Sequence, residues 1–137
     1  MRLMWWLFST NASGNAEIWT ERLRDSDADV RQWAVRLSVQ QGPVAEGLVR
    51  EFERLAKEDP SPVVRLALAS ALQSLPSPLR WGLASALLQH AEDQSDHNLP
   101  QMLWYGLEPA VPENPAKALE VAKASRLELP TALIVRR

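Results

Sequence analysis

The sequence predicts an all-α fold, an α-α superhelix built from antiparallel helical hairpins. Three observations support it. Apolar residues recur with the period of a helix. Proline and glycine fall between these apolar segments. Similar turns return every 34 residues. No segment alternates as a half-buried strand would. We expect all 137 residues to form a single domain, because this length is typical of one.

The first helix is predicted at residues 2–9, around an apolar run from Leu3 to Phe8. This run is too short for the hydrophobic region of a signal peptide or for a membrane span. We therefore expect neither an export signal nor a membrane span in this chain, and the compartment stays open. Trp5 and Trp6 are adjacent, so they cannot share one helix face. One of them is expected to point away from the core.

Eight more helices follow, each placed by its apolar stripe and by the turn residues around it. Gly42-Pro43 separates two of them. Ser61-Pro62, Ser77-Pro78 and Asn114-Pro115 each put a capping side chain before a proline at a helix start. The clearest stripe, in the fifth helix, comprises Val64, Ala67, Leu68, Ala71, Leu72 and Leu75. The predicted ranges are 15–24, 28–40, 43–58, 62–74, 78–91, 98–108, 115–125 and 130–136. Short connections make neighbouring helices antiparallel.

The amino-acid composition excludes several kinds of chemical site. The chain is 46 % apolar, has a net charge of −2 and contains no cysteine. Disulfides, thiolate-bound zinc and covalently attached haem are therefore excluded on these residues. The slightly acidic charge argues against nucleic acid as a partner. Two histidines offer little acid–base chemistry. We predict a protein that is not an enzyme, with no catalytic, cofactor-binding or metal-binding residues and no cofactor.

The turns carry an internal repeat. Asp25, Asp59 and Asp93 are spaced by 34 residues, and each closes a helix. A Val-Arg pair follows the first two aspartates in register, ending at Arg31 and Arg65. An acidic turn, then Val-Arg, then a helix of small and apolar residues resembles the HEAT repeat, in which paired helices stack into a solenoid. The expected division is a partial repeat at 1–14, repeats at about 15–41, 43–75 and 77–109, and capping helices at 114–137.

The HEAT resemblance implies a structural ladder of Arg31, Arg65, Asp25, Asp59 and Asp93. The side chain of each arginine would extend along the stack and pair with an acid between helices, in its own repeat or a neighbouring one. The candidate acids for these pairs are Asp27, Asp29 and Asp59. A recurring arginine–carboxylate pair fixes the register of one repeat on the next.

The third copy of the repeat departs from this pattern. Asn98-Leu99 replaces Val-Arg, and Pro100 follows. The ladder is therefore expected to end here, with Asn98 as the helix cap. A degenerate last repeat is typical of a capping unit.

The densest polar stretch covers residues 90–98. Its possible polar cluster consists of His90, Asp93, Asp96 and His97, which are metal-ligating residue types. We favour a structural role: His90 falls on an apolar stripe, and acids in a turn cap the next helix. Asp96 and His97 suit acid–base chemistry, but no nucleophile or glycine-rich phosphate loop accompanies them.

A closer resemblance covers most of the chain. Segments 59–73 and 92–109 are similar to the HEAT segment of large Planctomycetes-type membrane-bound-dehydrogenase, haem-binding proteins. That family joins a β-propeller, HEAT repeats and a c-type cytochrome module, and its members would be exported to the periplasm or cell envelope. This chain matches neither the propeller nor the Cys-x-x-Cys-His module. The resemblance therefore implies the linker between them and transfers no catalytic residue.

The sequence favours a non-catalytic scaffold or protein-interaction module. Its partner would be another protein or a neighbouring domain, with self-association through the terminal helices as a further possibility. Two alternatives stay open: a lyase-type accessory protein binding a small ligand on a concave face, and a HEAT-type nucleic-acid binder. The basic residues available to the latter are Arg50, Arg54, Arg80, Arg126, Arg136 and Arg137.

Overall fold

The structure, a computed structural model, describes residues 16–137. These residues form eight α-helices and no strand, which confirms the predicted all-α fold. The helices are α1 (Ala16–Arg22), α2 (Ala28–Ser38), α3 (Glu46–Glu58), α4 (Pro62–Ala71), α5 (Ser77–Leu87), α6 (Leu99–Leu107), α7 (Pro115–Ala124) and α8 (Glu128–Arg136). The predicted helix at 2–9, the partial repeat at 1–14 and the tryptophans Trp5 and Trp6 lie outside the described residues.

Every second helix up to α6 ends in a tighter turn. The 3-10 segments Val39–Gln41, Leu72–Ser74 and Glu108–Ala110 follow α2, α4 and α6. A further 3-10 segment, Ala91–Ser95, lies between α5 and α6. Such turns are common at helix ends, where the last carbonyls have no partner inside the helix. They explain why several apolar stripes run a few residues past the α-helical ends.

Two helices start more than one residue away from the predicted position. α3 begins at Glu46 rather than at 43, because Gly42 has a φ of +123° and Ala45 is still extended. That value of φ lies in a region that favours glycine. α8 begins earlier than predicted, at Glu128, and includes Pro130 in its first turn. Proline is tolerated there because a first-turn N–H has no acceptor in the helix.

The predicted helix caps are only partly correct. Asn114 caps α7, its Oδ1 accepting the Lys117 N–H at 3.1 Å. Ser61 makes no side-chain capping bond, and Ser77 is already inside its helix.

The helices pack in two layers. Successive helices form the hairpins α1/α2, α3/α4, α5/α6 and α7/α8. The first helices of the hairpins pack on one another, as α1 on α3, α3 on α5 and α5 on α7. The second helices do the same, as α2 on α4, α4 on α6 and α6 on α8. We call these sets the first layer and the second layer.

The apolar core lies between the layers and continues along the stack. Among its largest fully buried side chains are Trp19, Phe52, Leu68 and Leu103. The second layer is tightly packed at Gly106, where an added Cβ would lie 2.5 Å from Leu72 Cβ. In the part of the chain that the structure describes, no helix has both the length and the apolar character that a membrane span requires.

Candidate interaction surface and the arginine–aspartate ladder

Arg65 connects the second hairpin to the third. Its Nε and Nη2 donate to the two carboxylate oxygens of Asp93, each at 2.6 Å. Its Nη1 donates to the Asp59 carbonyl at 3.0 Å. The guanidinium is buried, so its donors are satisfied by protein atoms rather than by solvent. This is the bidentate geometry for which arginine is suited and lysine is not.

Arg31 makes the same contacts one repeat earlier. Its Nε and Nη2 donate to the Asp59 carboxylate at 2.7 and 3.0 Å. Its Nη1 donates to the carbonyls of Asp25 and Ser26, both at 2.9 Å. Each arginine thus binds the backbone of its own repeat's aspartate and the carboxylate of the next. Because each contact joins the first turn of one second-layer helix to the segment just before the next one, the contacts fix how far one hairpin slides on the next.

The two other acids considered as partners of Arg31 do not contact its guanidinium. Asp27 caps α2 by accepting the Asp29 N–H at 2.8 Å, and Asp29 accepts from Gln32. Both are exposed. Asp25 contributes its carbonyl to Arg31, while its carboxylate accepts the Asp27 N–H at 2.9 Å.

The aspartate contacts stabilise the charge of both arginines. Hydrogen bonding to Asp93 raises the pKa of Arg65 above its ordinary value, and Asp59 does the same for Arg31. In each case burial opposes the shift and the nearby negative charge adds to it. The ladder therefore holds permanent charges inside the structure, matched by carboxylates one repeat away.

The ladder stops at Leu99, which is buried where an arginine would stand. Other links join the third hairpin to the last one. Arg126 N–H donates to the Leu88 carbonyl at 2.9 Å. Gln89 Nε2 donates to the Ala124 carbonyl at 2.8 Å, and Gln94 Oε1 accepts the Glu128 N–H at 2.9 Å. These links could not be predicted from the sequence, because a lone glutamine in a turn carries no pattern.

The possible polar cluster is not brought together as one site. Asp93 binds Arg65, whereas Asp96 caps α6 by accepting the N–H groups of Asn98 and Leu99, both at 2.8 Å. Those hydrogen bonds lower the pKa of Asp96. The predicted capping role of Asn98 is thus wrong: Asp96, two residues earlier, does the capping. His97 is exposed.

His90 joins the third hairpin to the second through a hydrogen bond. Its Nε2 donates to the Ala56 carbonyl at 2.7 Å, in the last turn of α3. Its Nδ1 lies 2.9 Å from Glu92 Oε1. The carboxylate of Glu92 has a lowered pKa, caused first by a backbone hydrogen bond and then by the bond to His90. In the described part of the chain, no group of three or more histidine and acidic residues is arranged to hold a metal ion.

Most of the candidate basic residues are engaged by acids or carbonyls. Arg50 lies 3.8 Å from Glu46, Arg54 lies 3.0 Å from Glu51, and Arg137 lies 3.6 Å from Glu108. Arg80 donates to the carbonyls of Leu75 (2.7 Å), Gly106 (2.7 Å) and Gln73 (3.3 Å). Nearby acids offset the charge of Arg50, Arg54 and Arg137, whereas the N–H groups of Arg80 are taken up by carbonyls.

A cleft of about 570 Å³ lies beside the first ladder pair. Arg24, Arg31 and Arg54 line it together with Glu58 and Asp59. Its charged groups are already paired, since Arg31 binds Asp59, and Arg54 lies 3.5 Å from Glu58. The polar groups that would orient a small ligand are therefore used within the protein.

The exposed side of the second layer lacks charge over two neighbouring helices. α6 has no charged residue, and the only one in α4 is the buried Arg65. Val63 is 43 % exposed and Tyr105 is 48 % exposed. Leu66 and Met102 are half-buried nearby on the same two helices. We call Val63, Leu66, Ser70, Met102 and Tyr105 the uncharged face.

Charged residues border this face on the neighbouring helix α2. Asp29 and Arg36 are both exposed there. The guanidinium carbon of Arg36 lies 5.6 Å from the ring centre of Trp33, which is half-buried. The uncharged face could not be predicted from helical periodicity, which separates core from surface without distinguishing one surface from another.

No family model, curated protein or solved structure matches this chain.

Proposed function

We propose that this chain is a non-catalytic, HEAT-type scaffold that binds a partner protein through the uncharged face. The observation that carries the proposal is the exposure of Val63 and Tyr105 on two packed helices without an exposed charge. The cores of protein interfaces are depleted of charged residues and enriched in aromatic residues and methionine. A charged border, as on α2, suits the rim of such an interface.

The face also indicates the chemistry of the partner. Val63, Leu66 and Met102 offer apolar contact, whereas Tyr105 adds a hydroxyl at its edge. Ser70 is already satisfied, because its hydroxyl donates to the Leu66 carbonyl at 3.1 Å. The surface thus suits an apolar helix or extended segment rather than a charged peptide. In the linker interpretation, this segment belongs to a neighbouring domain, such as the propeller or cytochrome module of the resembling family.

The ladder supports the same function indirectly. A scaffold must keep α4 and α6 in fixed register for their exposed side chains to form one surface. Arg65 provides this register, because it joins the start of α4 to Asp93, which precedes α6. A rigid surface loses less conformational entropy when it binds.

Site-specific photo-crosslinking in the source cells tests the proposal. A photoreactive amino acid is placed at Tyr105, at Met102 or at the control position Arg50, which is exposed in the first layer. We expect one discrete adduct from the first two positions and none from Arg50. The adduct is identified by mass spectrometry, and the purified partner is then tested for binding to the chain.

Tyr105→Asp and Val63→Asp should each weaken that binding by at least about tenfold, because a buried unpaired charge is costly in an interface. Arg50→Ala should leave it unchanged. Equal adducts at all three positions, or binding that is insensitive to both aspartate substitutions, would overturn the proposed function.

A further inference from the structure

Helix α8 exposes a second surface, at the C-terminal end of the stack. Its buried side consists of Pro130 and Ile134. The exposed residues on the opposite side are Glu128, Leu129, Ala132, Val135 and Arg136. Val135 is the most exposed large apolar residue of the described chain, at 64 %. In a stack of repeats, an outer face that is partly apolar is one that a neighbour can cover.

The exposed residues are arranged symmetrically around Ala132. With 3.6 residues per turn, Ala132 lies at the centre of the exposed arc, opposite the buried side. Glu128 and Arg136 stand four residues before and after it, while Leu129 and Val135 stand three residues before and after it. Each apolar residue thus has an apolar counterpart, and the acid has a base as its counterpart.

Such an arrangement is complementary to itself. When two copies of α8 run antiparallel and cross at Ala132, residues 128 and 129 of one copy reach the level of residues 136 and 135 of the other. Each end of the pair then holds Glu128 and Leu129 from one copy with Arg136 and Val135 from the second copy. The alanines meet at the centre, where a small side chain allows the helices to approach closely.

We propose that this face binds a second copy of the chain, forming a two-fold symmetric dimer through antiparallel α8 helices. The same patch serves both subunits, as in any two-fold interface. Glu128 and Arg136 are free for this purpose, since neither side chain has an ion-pair partner within residues 16–137. The proposal is independent of the uncharged face, which lies on α4 and α6.

The contact is small, so the dimer is expected to form at high protein concentration. One helix per copy buries less than the roughly 1,200 Å² that marks the lower end of stable complexes. Sedimentation equilibrium over a wide range of protein concentration, at low and at high salt, measures the association. We expect a rise toward twice the chain mass, and a weaker rise in high salt, which screens the Glu128–Arg136 pairs.

Charge reversals test the predicted geometry. Glu128→Arg or Arg136→Glu places like charges at both ends of the pair, so each variant alone should associate at least about tenfold more weakly. An equimolar mixture of the two variants should recover the association, because each end then holds one charge of each sign. Ala132→Glu should abolish the dimer by placing two carboxylates at the crossing point.

Two controls keep the outcomes distinct. Arg50→Glu reverses a charge on α3 and should have no effect, whereas Tyr105→Ser alters the uncharged face and should also leave the α8 dimer unchanged. Circular dichroism establishes that each variant is folded. A chain that stays monomeric throughout, a dimer insensitive to changes at 128 and 136, or a dimer lost in Tyr105→Ser would overturn the proposal.

Discussion

Arg65 and Asp93 are joined by two parallel hydrogen bonds of 2.6 Å, and each residue is only 3 % exposed. Two charges removed from water in this way are costly to separate. Removing one partner leaves the other buried without compensation, whereas replacing both with apolar groups of similar size is often neutral. The pair therefore fixes the position of one hairpin on the next. Its effect on the free energy of unfolding becomes large only when one partner is removed.

Arg65→Met is expected to lower the free energy of unfolding by about 3–5 kcal/mol, because it strands the carboxylate of Asp93 in a buried site. Urea unfolding followed by circular dichroism measures the change. Arg50→Met is the matched control and should cost less than about 0.5 kcal/mol, since Arg50 is exposed and lies 3.8 Å from its acid.

The double variant Arg65→Met/Asp93→Leu distinguishes the net contribution of the ion pair to stability from the cost of leaving one buried charge unpaired. It should recover most of the stability lost in Arg65→Met, because neither charge remains. A loss within about 0.5 kcal/mol for Arg65→Met would contradict the assignment of Arg65 as a buried ladder residue.

The same pair shows how far sequence reasoning reaches. Arg31 and Arg65 could be identified because each follows an aspartate in the same register, and a repeated pattern carries information that a single residue does not. The acid that each arginine binds could not be chosen from the sequence: Asp27, Asp29 and Asp59 were the candidates, and Asp93, which binds Arg65, was expected in the ladder but was not among those candidates. The choice depends on how far one hairpin is displaced along the next, which is set by packing between helices of neighbouring hairpins.

The roles of several other residues could not be predicted, because they depend on contacts that leave no pattern in the nearby sequence. Arg80 looked like a surface cation but binds three carbonyls, one of them from α6. Asp96, rather than Asn98, caps α6, although both are good capping residues. The uncharged face could not be predicted either, because only the exposures of Val63 and Tyr105 distinguish it from the core.

Asp96→Ala should destabilise the protein by about 1 kcal/mol at pH 7, because two N–H groups at the start of α6 lose their acceptor. The pKa of Asp96 is lowered by those N–H groups from its ordinary value of 3.8. Its charged form is therefore favoured by folding, and the contribution is fully present above that value. As the pH falls through the lower, folded-state pKa, the difference between wild type and variant should shrink.

Urea unfolding at pH 7 and at several values below pH 4 measures this difference. Asn98→Ala serves as the control, because Asn98 makes no side-chain capping bond. Its effect should stay within about 0.5 kcal/mol at every pH. A penalty for Asp96→Ala that is constant with pH would show that the charge of the cap is irrelevant.

Gly106→Ala should destabilise by about 1–3 kcal/mol, because the new methyl group would overlap Leu72 where α6 packs on the end of α4. Gly47→Ala is the matched control in α3, since an added Cβ there meets nothing within 4 Å. That substitution should stabilise by up to about 1 kcal/mol through the higher helix propensity of alanine. Equal effects at both positions would mean that the second layer is not closely packed at Gly106.

Arg80→Lys is expected to destabilise by about 1–3 kcal/mol, although it keeps the charge. The three carbonyls of Leu75, Gly106 and Gln73 are bound by three different nitrogens of one planar guanidinium. A lysine ammonium is a point charge that cannot reach all three, so part-buried carbonyls lose their donors.

Thermal unfolding measures the loss, with Arg54→Lys as the control. Arg54 is partly exposed and binds the carboxylates of Glu51 at 3.0 Å and Glu58 at 3.5 Å, with which a lysine can also pair, so its substitution should cost under about 1 kcal/mol. A similar loss of stability for Arg80→Lys and Arg54→Lys would mean that the charge of Arg80, rather than the geometry of its guanidinium N–H groups, joins the end of α4 to α6.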